Sequence, residues 1–64
     1  MQTLKEAFEG NERTKTLRLI RVTGEFIARL SIEEALKQYG DWIYRNAYSE
    51  GFTEVSVWIS NTTK

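Results

Sequence analysis

The chain has 64 residues, nine basic and nine acidic, with no cysteine and no histidine. A length of this order makes one small domain, 1–64, that hides only about 60% of the surface its unfolded chain exposes, and no disulfide or thiolate metal site can add to its stability. The zero net charge removes any general attraction to nucleic acid or anionic lipid, and no apolar run approaches the roughly 20 residues of a membrane span.

Residues 1–10, "MQTLKEAFEG", place Leu4, Ala7 and Phe8 at helical spacing, so a short N-terminal helix or docking arm is expected. They lack the apolar stretch of an export signal, which points to a cytoplasmic protein. Gly10-Asn11 then breaks the pattern and "NERT" reads as a loop.

Residues 14–30 read as a β-hairpin: "TKTLRLIRV" leads through Thr23-Gly24 into "EFIARL". With Thr23 and Gly24 alone in the turn, Leu17 faces Leu30, Leu19 faces Ala28 and Arg21 faces Phe26 on one side of the sheet. Arg18 then faces Arg29, and Ile20 faces Ile27, on the other. A bulge near the turn would shift these pairs.

Ser31-Ile32-Glu33-Glu34 has the form of a capping box, with the serine hydroxyl accepting from the N–H of residue 34 and Glu34 reaching back to the serine N–H. A helix is expected over 31–49, with Ile32, Ala35, Leu36, Tyr39, Ile43 and Ala47 as its apolar stripe and Trp42 beside it. Gly40 either lets backbones approach or marks a break, and the reading favours one bent helix. Tyr44 and Tyr48 then stand four apart on its exposed flank, a pair suited to anchoring a partner.

The last element, 52–60, alternates as a strand: Val55, Val57 and Ile59 point one way, Glu54, Ser56, Trp58 and Ser60 the other. Asn61-Thr62-Thr63 matches a glycosylation acceptor but reads as a polar tail. The expected fold is therefore α+β, a small ββαβ domain. Its three-stranded antiparallel sheet has order 2-1-3 and one helix on one face, besides the short N-terminal helix. The expected core is Leu17, Leu19, Phe26, Ala28, Leu30, Val55, Val57 and Ile59 against the helical stripe.

The opposite face would carry Arg18, Ile20, Val22, Ile27, Arg29, Ser56 and Trp58. Tryptophan and arginine dominate binding energy at many interfaces, and Arg18 opposite Arg29 is a like-charge pair that needs compensation from Glu25, Glu54 or a partner. The competing reading folds Leu4, Ala7 and Phe8 under this face and makes Trp58 part of a second core. Catalysis is not expected. There is no histidine to act as a base, the serines have nothing to activate them, the four glycines are scattered, and no cofactor or metal is called for.

"SIEEAL", "DW" and "GFTEVSV" together make residues 31–57 resemble the helix and last strand of the very small phage proteins, of the T7 group, that inhibit bacterial RNA polymerase. Alignment needs insertions before Trp42 and before Gly51. The resemblance implies a non-enzymatic inhibitor that docks on a host protein. That family uses arginines on its last strand, where this chain has Ser56 and Trp58, so no residue role transfers. The expected function is a protein-binding module anchored by Trp58, Arg18, Arg29, Ile20 and Ile27, with Tyr44 and Tyr48 as a second patch. A homodimer through the same face and a nucleic-acid-binding domain using its Arg and Trp side chains are the alternatives.

Overall fold

A computed structural model describes residues 2–61. Its elements are α1 (Leu4–Ala7), β1 (Thr16–Arg21), β2 (Phe26–Ser31), α2 (Ile32–Tyr39), β3 (Ile43–Ser49) and β4 (Glu54–Ser60). They form an α+β domain with a mixed four-stranded sheet of order β2-β1-β4-β3. β1 and β2 are antiparallel, as are β3 and β4, and the two hairpins meet where β1 and β4 run parallel. Thr62 and Thr63, the end of the glycosylation match, lie outside the described residues.

The expected three-stranded antiparallel sheet is corrected by the segment after Gly40. Residues expected to continue the helix to position 49 form β3 instead, and α2 ends at Tyr39. Ile43, Tyr44 and Tyr48 favour a pleated surface over a helix, and Gly40-Asp41 gives the chain a place to turn. A turn bond from Trp42 N–H to the Tyr39 carbonyl, 3.0 Å, closes that turn. Once β3 is a strand, the tight β3–β4 connection reverses the chain a further time. β4 therefore lies parallel, not antiparallel, to β1.

Both helices carry side-chain caps. Thr3 Oγ1 accepts from Glu6 N–H at 3.2 Å and Glu6 Oε1 accepts from Thr3 N–H at 2.9 Å, a complete capping box on α1. On α2 only half of the expected box forms. Ser31 Oγ accepts from Glu34 N–H at 3.3 Å, but Glu34 Oε1 accepts from Gln38 Nε2 at 2.9 Å. Ser31 is still in the β2 ladder, opposite Thr16, so Glu34 finds its partner one helical turn onward.

One core lies between the helices and the sheet: Leu4, Phe8, Leu17, Leu19, Ala35, Val57 and Ile59, all buried. Leu4 and Phe8 come from the N-terminal segment, so that segment packs on the same side as α2. It is fastened there by backbone bonds from Leu4 N–H to the Trp42 carbonyl, 2.8 Å, and from Lys5 N–H to the Gly40 carbonyl, 3.1 Å. The Phe8 ring meets Tyr44 edge-on with centroids 6.4 Å apart, and Tyr39 meets Trp42 in the same manner at 5.0 Å. No described helix is long and apolar enough to cross a membrane.

Candidate functional site

With the N-terminal segment and α2 both on one side, no element among the described residues lies over the other face of the sheet. Its side chains fall into rows set by the register. One row reads Arg29, Arg18, Ser56, Tyr48 across β2, β1, β4 and β3, and the next reads Phe26, Ile20, Trp58, Asn46. Trp58 stands at the middle of the second row, flanked by Ile20, and takes no part in the buried cluster beneath the helices.

Phe26 reaches this face through a bulge. Leu17–Leu30, Arg18–Arg29 and Leu19–Ala28 pair as the alternation requires, but the register shifts after Leu19 so that Ile20 faces Phe26. Ile27 is the extra residue. The turn explains why. Gly24 has φ of 99°, its N–H bonds the Arg21 carbonyl at 2.7 Å, and Arg21 N–H bonds the Glu25 carbonyl at 2.7 Å, so the loop holds three residues, not two. One added residue in the loop reverses the faces of the residues after it until the bulge restores them. The expected placements of Phe26 and Ile27 are thereby exchanged. Ile27 packs against the core, and Phe26 is 53% exposed on the open face.

The tyrosine patch is corrected as well. Tyr44 and Tyr48 lie on a strand with a register shift between Tyr44 and Asn46, and they face opposite sides. Tyr44 sits opposite Ile59 and packs on the core, whereas Tyr48 sits opposite Ser56 on the open face, 64% exposed. Of the seven site residues expected from sequence, the fold gathers Trp58, Arg18, Arg29, Ile20 and Tyr48 on one surface. It turns Ile27 and Tyr44 away from it.

The paired arginines find their compensation within the chain. Arg29 Nε donates to Glu54 Oε2 at 2.9 Å and Nη2 to Oε1 at 3.4 Å, a near-bidentate pair. That hydrogen bond, chiefly, holds the Glu54 carboxyl below its ordinary value of 4.5, against the opposing effect of partial desolvation and with help from the charges of Arg29 and Arg18. The same bond raises the Arg29 guanidinium. Arg18 Nη1 lies 3.9 Å from Glu50 Oε2, which also accepts from Ser56 Oγ at 2.7 Å. Arg18 additionally stands over the Phe26 ring, 5.9 Å from its centroid. Ser56, although on the open face, is 1% exposed, roofed by the long side chains around it.

Sequence reasoning missed Phe26 and Glu50. Phe26 was hidden by the turn, for which Gly24 is the only local signal. Glu50 was hidden by the helical reading of its segment. The surface that results has an apolar, aromatic row next to a row whose two arginines are matched by Glu50 and Glu54 from the row beyond. Such a surface can exclude water over Trp58 while its rim pairs with polar groups. No protein-family model, curated protein or solved structure matches the chain at a significant level.

Proposed function

We propose that this chain is a protein-binding module, without chemistry of its own, that docks through the open face of its sheet. It acts in the manner of a small phage or mobile-element protein that blocks a host enzyme in the cytoplasm by covering part of it. The observation that carries this reading is the row Phe26, Ile20, Trp58 standing unroofed beside two arginines that carboxylates of the same chain already neutralise. An apolar centre with a polar rim is the anatomy of a protein interface, and tryptophan is the residue most often found at its energetic centre.

The charge arrangement weighs against phosphate tracking, since Arg18 and Arg29 are each already matched by a carboxylate. One observation favours a nucleic-acid reading nonetheless. Phe26, Trp58 and Tyr48 present three rings on an open four-stranded sheet, where bases could stack. Single-stranded oligonucleotide binding that weakens steeply with salt would support that second reading.

A photo-crosslinking residue placed at Phe26 or Tyr48 tests the docking face, with the same residue at Lys37 on α2 as the control. Protein adducts are expected from the two sheet positions and not from the helix. Trp58→Ala should weaken capture about 30-fold or more, roughly 2 kcal/mol, with little change in melting temperature. Adducts only from Lys37, or loss of fold and capture together, would refute the proposal.

A further inference from the structure

We infer that the occupant of this face is a second copy of this chain, the two sheets stacked about a two-fold axis that runs along the strands between β1 and β4. The inference rests on the docking reading above and concerns the free protein, in which the second copy covers the face until a host protein displaces it. Rotation about such an axis lays each row over itself and exchanges its two halves. Ile20 and Trp58 are neighbours across the axis, so each Ile20 comes to lie over the Trp58 of the other copy. Phe26, at one end of that row, lies over Asn46 at its other end.

The charges obey the same exchange. Arg18 comes over Ser56 and Arg29 over Tyr48. The adjoining row brings Thr16 over Glu54 and Ser31 over Glu50, since Thr16 pairs with both Ser31 and Glu54, and Glu50 N–H bonds the Glu54 carbonyl. Arg18 and Arg29, already paired within their own chain with Glu50 and Glu54, then stand across the gap between the sheets and one same-face step, about 7 Å along the strand, from the other copy's Glu54 and Glu50, so that each ion pair faces its symmetry mate with the signs reversed. The basic half formed by β1 and β2 covers the acidic half formed by β4 and the turn before it, twice over by symmetry. A two-fold axis across the strands would instead set Arg18 over Ile20 and Trp58 over Ser56, facing charge with apolar groups.

The size of the face limits what pairing can bury. Four strands about 4.8 Å apart and six residues long, at about 3.3 Å each, present about 400 Å² in projection. Standard interfaces bury about 800 Å² per partner, so a dimer that dissociates in the micromolar range is expected.

Sedimentation velocity from micromolar to millimolar concentration tests this. The wild type should shift from monomer to dimer across the range, and Trp58→Ala should remain monomeric. The double variants Arg18→Glu with Arg29→Glu, and Glu50→Arg with Glu54→Arg, alter exposed or half-buried positions outside the core, and their folding is checked by melting. Each alone should dimerise at least tenfold more weakly, and mixing the two should restore the dimer. A wild type that stays monomeric throughout, a dimer indifferent to Trp58→Ala, or no recovery on mixing would overturn the inference. A monomer whose face still crosslinks a foreign protein would leave the docking reading standing and remove self-pairing. Salt-sensitive oligonucleotide binding by that face would remove both.

Discussion

A Cβ on Gly40 would overlap the Leu36 carbonyl oxygen and stand 3.4 Å from Lys5 Cβ. The position is buried between the end of α2 and the start of α1, and Lys5 N–H bonds the Gly40 carbonyl there. Its backbone is right-handed helical, so glycine is needed for want of space and not for its freedom at positive φ. Gly40→Ala is therefore expected to destabilise by about 1 to 3 kcal/mol, the range for overpacking, although alanine is the better helix former. A denaturant melt checks it. Glu54 supplies a second test at this scale. Because its carboxyl titrates lower when folded than when unfolded, its pairing with Arg29 adds stability above pH 4.5 that is lost as pH falls through the depressed folded value. Melting temperatures of wild type and Glu54→Gln should differ near neutral pH and converge in acid. A constant gap across the series would show that the ion pair contributes nothing.

Among the elements, α1 is the one whose weight is least apparent from its length. Four residues cannot hold a helix in water, yet Leu4 is fully buried and the segment is tied to the strand after α2 by backbone bonds. Leu4→Ala should cost about 2 to 5 kcal/mol, as for other core leucines, while Phe26→Ala should alter stability by about 0.5 kcal/mol or less, as at other exposed sites. Equilibrium unfolding of the two variants side by side separates core from surface. The edge strands are also guarded. β2 is bulged at Ile27, and β3 shifts register around Arg45 and is paired at its start with Thr3. Such edges resist adding strands from other chains. Much of this was legible in the letters. The start of α2 at Ser31, the hairpin pairs up to Leu19–Ala28, and the parity of Val55, Val57 and Ile59 all come from local pattern. Residues 43–49 did not, because Tyr39, Ile43 and Ala47 satisfy a helical stripe as well as Ile43, Tyr44 and Tyr48 satisfy a strand. Only pairing with β4, a tertiary fact, decides between them.

For the molecule as a whole, the division into a roofed and an unroofed side of the sheet is what matters. The sequence already showed Trp58 out of step with Val57 and Ile59, but it left open whether Leu4 and Phe8 would cover it. They join the helix side instead, where Leu17, Leu19 and Ala35 form one core with them. The chain thus gathers most of its buried apolar groups in the layer beneath the helices, and leaves outside it an indole and, opposite Ser60 on the same face, the buried Ile43. The placement of Arg18, Ile20, Arg29 and Trp58 on one face was legible, because strand parity alone sets it. The placement there of Phe26, and of Tyr48, which the sequence put on a helix flank, was not, because their faces depend on a bulge and on a strand that resembles a helix. The most direct test is the set of nuclear Overhauser contacts made by the Trp58 ring in the monomer. Contacts to Ile20 and Asn46, with strong broadening by a soluble paramagnetic probe, are the expected result. Contacts from that ring to Leu4, Phe8 or Ala35 would place it beneath the helices and contradict the account.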